Sequence, residues 1–270
     1  MTASAAPNAP SNMAAAAFPP NWPKRFAWAA LTIYAVYAIS VLDIDFERIV
    51  RGMDNARRLF ARMFPPNLQA DKLALIRDGM IESIQIAILA TFVGVALSMP
   101  IGLAAARNLS PVGLAWAARG LIAILRSFHP VIVAILFVKA VGFGVLAGIL
   151  ALVVSTIGFV SKLFAEVVEE ISAKQVEAVR ATGAGFGHVL MFGVFPQVMA
   201  RFVGLAVYQL DSNLRNSTMV GIVGGGGIGA PLFTAYQRFD YDVVLTILLI
   251  IIGIIMLMEV VSSRVRQIFQ

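Results

Sequence analysis

Long apolar runs, separated by short polar stretches, divide most of this chain. They fall at about 26–42, 81–106, 114–140, 146–168, 194–210 and 243–261, the first and fifth being short. A helix rises 1.5 Å per residue, so about 20 apolar residues cross a hydrocarbon layer about 30 Å thick. None of the runs alternates apolar with polar residues at period two, which excludes the strands of a membrane barrel. The pattern predicts an all-α integral membrane protein of about six transmembrane helices.

The polar stretches differ in kind. Residues 1–23 are rich in Ala, Pro, Ser and Asn, with Pro7, Pro10, Pro19, Pro20 and Pro23, and read as a disordered tail ahead of a membrane domain at 24–270. Lys24 and Arg25 read as the flank of a membrane anchor, not as part of a cleaved leader. Between the first two runs, Phe46, Ile49, Val50, Met53, Phe60, Met63 and Phe64 recur at helical spacing among Arg, Asp and Glu, up to Pro65-Pro66. This predicts an amphipathic helix at 45–64 lying on the membrane or on neighbouring spans, with docking of a partner as the alternative. Arg126, Ser127, His129 and Pro130 interrupt the third run. Pro130 is expected to kink it, and a pathway role for Arg126 is open.

Composition agrees with a membrane bundle: 59% of residues are hydrophobic and 13% charged, against about 45–50% and about 25% in soluble domains. There is no cysteine, which excludes thiol chemistry, and the two histidines, His129 and His188, lie in separate segments, so no metal site is expected. A net charge of +6 would suggest nucleic acid in a soluble protein, but here the basic residues flank spans and no nucleic-acid partner is expected. With the N-terminus placed in the cytoplasm, eleven Lys and Arg fall on the cytoplasmic side and ten on the other. Counting charges does not orient the chain.

The segment 172–195, between the fourth and fifth runs, carries Glu177-Ala178-Val179, then three residues, Gly183, and after a longer gap Pro196. Residues 176–181 suit a short helix, Gly183 a sharp change of direction, and Pro196 the first turn of the next helix. A helix–turn–helix projecting from the membrane can sit in a groove on a soluble partner; the alternative is an amphipathic loop resting at the interface. The spacing resembles the cytoplasmic loop of binding-protein-dependent ABC transporter permeases, with Val179 for the second Ala and Gly193 and Phe195 for the usual Ile and Leu. The resemblance implies a type I ABC importer permease fold (MetI-like) and makes Glu177, Ala178, Arg180, Thr182, Gly183 and Pro196 the surface coupled to an ATPase. It also implies that this loop and both termini are cytoplasmic, in a bacterial inner membrane.

At 208–229 the chain places Asp211, Asn213, Arg215, Asn216, Ser217 and Thr218 beside apolar spans, ahead of a glycine-rich run. Ionisable groups at membrane depth usually face the bundle interior or a water path. A purely structural i, i+4 pair of Asp211 with Arg215 is the alternative. Gly224, Gly226 and Gly229 spell a dinucleotide fingerprint, but no strand–helix–strand context surrounds them. Gly221, Gly225 and Gly229 instead have the small-xxx-small spacing of close packing or a gate hinge.

This stretch is similar to the acidic-Ser-Asn-x-Arg-x-small-Thr segment of phosphonate-type permeases, as are Phe64-Pro65-Pro66 and Arg180-Ala-Thr-Gly-Ala184. The resemblance implies a substrate path and gate at Asp211, Asn213, Arg215, Ser217, Thr218, Gly225 and Gly229, with Lys139 adding positive potential. Arg suits the oxygens of a phosphonate through its planar fork. The chain has no P-loop, so no cofactor is expected in it, and ATP with Mg belongs to the partner. The implied partners are a cytoplasmic ABC ATPase dimer, an external phosphonate-binding protein, a second copy of the chain, and lipid. The chain itself is not expected to be an enzyme. Permeases for phosphate, phosphite or methionine, and an anion carrier or channel needing no ATPase, are the alternatives.

Overall fold

The computed structural model describes residues 22–42 and 46–269, with only the backbone of Phe46, Ile268 and Phe269. The tail expected at 1–23 lies outside the described residues as far as residue 21, and Trp22 and Pro23 belong to the first helix. Among the described residues every regular element is helical. The chain divides into one unit ending at Arg58 and a second beginning at Leu59.

In the first unit, α1 (Trp22–Val41) is 20 residues long. Each 18-residue stretch of it contains both Lys24 and Arg25, and it falls below the hydropathy of the helices that qualify as spans. The amphipathic helix expected at 45–64 is α2 (Phe46–Met63). Ile49, Val50 and Met53 are exposed along it, and Glu47 pairs with Arg51 at 3.3 Å.

The second unit continues through α3 (Ala70–Ala105), α4 (Val112–Ser127), α5 (Pro130–Val141), α6 (Val145–Glu169), α7 (Ala173–Ala181) and α8 (Phe186–His188). A π-helical turn, Val189–Val194, then leads into α9 (Phe195–Ile222), followed by α10 (Gly229–Gln237) and α11 (Tyr241–Phe269). Among the described residues four helices are long and apolar enough to cross a membrane: α3, α6, the joined Phe186–Ile222 and Tyr241–Gln267 within α11. Together α4 and α5 make a fifth, broken span bent by 87°. The count is therefore four or five where the hydrophobic runs suggested six.

The break has a local cause. A residue before proline is pushed out of helical geometry, and Phe128 and His129 are both extended. Pro130 then starts α5, where its missing N–H costs nothing, and His129 Nδ1 accepts from the Val131 amide at 3.3 Å. The fifth run grows to 37 residues for another reason. Pro196 cannot donate to the turn before it and its ring crowds the carbonyl four residues back, and the wider π turn immediately ahead accommodates both.

Helix α6 is the hub, packed on α3, α4, α5 and α9. Lipid is as apolar as these side chains, so close packing and hydrogen bonds must hold the bundle together. A Cβ on Gly94 would lie 2.5 Å from Thr156, and one on Gly102 2.7 Å from Phe164. The Phe164 and Phe202 rings pack at a tilt of 54° with centroids 4.7 Å apart, amid Val160, Val168, Val194 and Val198. A second cluster joins α3 and α9 to α11 through Ile76, Met80, Leu214 and Ile247. Phe92, Trp116 and Met256 face outward, as a lipid surround requires.

Candidate functional site

Beyond α6 the chain leaves the bundle and returns through α7. The Ser172 amide donates to Gln197 Oε1 at 3.0 Å, and Gln197 Nε2 donates to the Gly193 carbonyl, tying the start of α7 to α9. Val176 is buried against Val189, Val194 and Val198. Gly193 faces α7, where a Cβ would sit in ordinary contact with the Val176 backbone at 3.5 Å and with the Val179 side chain. Gly183 turns the chain with φ +77°, its amide donating to the Arg180 carbonyl at 3.0 Å, and Thr182 Oγ1 donates to the Val179 carbonyl at 2.8 Å.

The seat is thus apolar and the outer face polar. Glu177, Ala178, Arg180, Thr182 and Gly183 are all exposed. Among the described residues no side-chain partner of Glu177 or Arg180 exists. Beside them lies a shallow groove lined by Ala178, Val179, Ala184, His188 and Phe192. Phe186, Met191 and Phe192 stand exposed around it. Pro196 is exposed too, but inside the long Phe186–Ile222 helix. The base of the projection is braced at the end of α6: Glu169 Oε1 accepts from Arg119 Nη2 and from the Arg107 amide, each at 2.7 Å, and Glu170 accepts from Arg201 at 2.7 Å.

The residues expected along a substrate path do not share one face. Asn213 is fully buried; its Nδ2 donates to Thr91 Oγ1 and Thr156 Oγ1, both at 2.9 Å, and its Oδ1 accepts from Gln209 at 3.0 Å. Ser217 is also fully buried, donating to the Leu214 carbonyl at 2.7 Å. Asp211 is buried and pairs with Arg215 at 2.6 Å, leaving its Oδ1 without a partner among the described residues. The Arg215 side chain is 44% exposed, and Thr218 is half-buried. Lys139 is exposed on α5.

Gly225 and Gly229 are buried. A Cβ on Gly229 would run into the Thr218 carbonyl, and one on Gly148 of α6 into the Gly225 carbonyl. The Ile228 amide donates to Ser83 Oγ at 2.9 Å and the Gly144 amide to the Gly224 carbonyl at 2.9 Å. The glycine run therefore wedges the turn after α9 against α3 and α6.

Sequence reasoning passed over Thr91, Thr156 and Gln209. A signal for the two threonines was present: each is a polar residue inside an otherwise apolar run, where a hydroxyl needs a partner.

Residues 98–270 match the family model described as binding-protein-dependent transport system inner membrane component. The chain is similar to the phosphate-import permease protein PhnE of Mycolicibacterium smegmatis, at 41% identity over 210 residues, or 77% of this chain and 39% of that one. It is also similar to the phosphite transport system permease protein PtxC of Stutzerimonas stutzeri, at 36% identity over 241 residues, covering 89% of this chain and 86% of that one. Its fold resembles a chain of the inward-facing MetNI methionine ABC transporter, with a TM-score of 0.65 and 22% identity, covering 75% of this chain and 100% of that chain.

Proposed function

Because this chain belongs to the family of binding-protein-dependent transport system inner membrane components, we propose that it is the permease subunit of an ATP-driven ABC importer whose cargo is a phosphonate or a related phosphorus oxyanion. The observation that carries the coupling half of this reading is α7: a short helix seated on buried valines, with Glu177 and Arg180 directed at no partner among the described residues. Such a rigid, partnerless polar face suits docking to a soluble subunit. The cargo half is supported by relatives named for phosphate import and phosphite transport.

In this reading ATP and Mg sit on a pair of cytoplasmic ATPase subunits, an external binding protein delivers the anion, and a second copy of the chain completes the passage. The α7 side and the C-terminus are cytoplasmic, and a cytoplasmic N-terminus requires α1 to cross the membrane as well. Closure of the ATPase pair moves the two α7 projections and shifts the subunits between outward-open and inward-open states, a switch driven by differential affinity. Arg215, exposed with Asp211 behind it, is the donor offered to an anion from α9. Asn213 acts by holding α9 against α3 and α6, and Ser217 is bonded within α9. No bond of the cargo is broken in this subunit.

The test is uptake of methylphosphonate and phosphite by proteoliposomes holding the assembled transporter. Arg180→Glu is expected to abolish ATP-dependent uptake while insertion and melting stay unchanged, and Arg215→Gln to lower it. Undiminished uptake by a correctly inserted Arg180→Glu chain, or uptake that needs no ATPase, overturns the coupling reading.

A further inference from the structure

A cleft of about 360 Å³ opens between α4 and α6, lined by Arg119, Arg126, Lys162 and Glu166 with Ile122 and Ala165. Its three cations are not equivalent. Arg119 is committed to Glu169 at 2.7 Å and to the Ala105 carbonyl at 2.9 Å. Lys162 pairs with Glu166 at 2.6 Å. Arg126 has neither an acidic partner nor a hydrogen-bonded acceptor among the described residues.

Depth makes that vacancy informative. Arg126 lies against Gly158, where a Cβ would come within 3.1 Å of Arg126 Cγ. Gly158 is eleven residues from the Glu169 end of α6, or about 16 Å along the helix axis, and Lys162 about 10 Å. Arg126 is exposed along its side chain, and an arginine rooted at that depth of a membrane-spanning bundle needs a counter-charge or a water-filled cavity. Glu166 and Glu169 offset two of the three positive charges, which leaves the charge of Arg126 uncompensated. Arg119 and Arg126, two turns apart, are separated by about 10 Å along α4, so a small anion meets Arg126 and Lys162 together and not all three.

We propose that this cleft binds a phosphoryl or phosphonyl group, its oxygens received by the planar fork of Arg126 and by the ammonium of Lys162. Arg matches two oxygens of such a group at once, and Lys supplies a compact point charge. Ile122 and Ala165 accept the organic substituent. Glu166 competes for Lys162 and keeps the site exchangeable. Two sources carry this chemistry: a transported oxyanion, an identification that rests on the function proposed above, and the headgroup of an anionic phospholipid, which does not.

The experiment uses the full-length chain alone, without ATPase, in phosphatidylcholine nanodiscs. Binding of methylphosphonate is followed by phosphorus NMR, and retention of phosphatidylglycerol, in nanodiscs containing a minority of it, by native mass spectrometry. Arg126→Gln is expected to weaken one of the two by about tenfold, the loss of one charge-assisted pair of hydrogen bonds, with Arg126→Lys intermediate and Lys162→Gln also weakened. Loss confined to methylphosphonate makes the free oxyanion the occupant, and loss confined to phosphatidylglycerol makes it the headgroup; either supports the site. If Arg126→Gln fails to fold, Arg126→Lys and Lys162→Gln decide. Wild-type binding of both probes by folded variants overturns the site, whatever the outcome of the uptake test.

Discussion

Two polar regions of this chain are built on opposite terms. In the bundle interior, Thr91, Thr156 and Gln209 each hydrogen-bond to Asn213, and Gln209 also donates to Thr156, which links α3, α6 and α9. On α7, Glu177 and Arg180 are exposed and answered by nothing among the described residues. The first region holds helices together where apolar burial gains little, because lipid is equally apolar. The second is held rigid by apolar contacts beneath it and keeps its polar groups free. Polar residues that a sequence presents alike thus divide into those that assemble the protein and those that meet something outside it.

That contrast can be broken from either side. The largest loss of stability is expected for Gly229→Ala, since the new methyl meets the backbone of α9, which cannot turn aside; overpacking of this kind costs roughly 1–3 kcal/mol, and here the upper end applies. Low yield of folded protein and a depressed melting temperature in detergent would show it, and a wild-type melt would mean that the turn is loose. Next comes Asn213→Leu. It removes three hydrogen bonds between side chains, and at about 0.6 kcal/mol for each such contact in a membrane protein the loss is about 2 kcal/mol, measurable as earlier unfolding.

Gly183→Ala should cost about 1 kcal/mol, because φ +77° disfavours any residue with a Cβ, although no neighbouring atom obstructs it. Its larger effect is expected on uptake, through the angle at which α7 is presented. Smallest in stability is Glu177→Ala, within about 0.5 kcal/mol as for other exposed positions, and yet ATP-dependent uptake should fall. A Glu177→Ala chain that melts early would place the residue in a structural role and dissolve the comparison.

Much of this was legible in residues taken one at a time or in short spacing. Pro130 announced the break between α4 and α5 because a proline constrains its predecessor wherever it stands. Gly183 announced the turn after α7, and the apolar run at 146–168 announced α6. The run at 26–42 was less informative, since run length alone does not weigh Lys24 and Arg25 inside the helix that forms. The ends of the fifth span were not visible either. Its polar residues at 209–217 interrupt the hydropathy, but several of them are satisfied across the bundle, so the helix continues through them to Ile222.

The sequence by itself determined that this chain is a helical membrane protein, where its helices break, and that a short helix with a glycine turn stands between two spans. Those outcomes follow from local sterics and from the length of apolar runs, which no distant residue alters. Only the tertiary structure decided that Asn213 faces Thr91 and Thr156 while Arg215 faces outward, and that Arg126 and Lys162 line one cleft. Residues two apart on a helix point in widely different directions, and which direction is interior depends on helices far away in the chain.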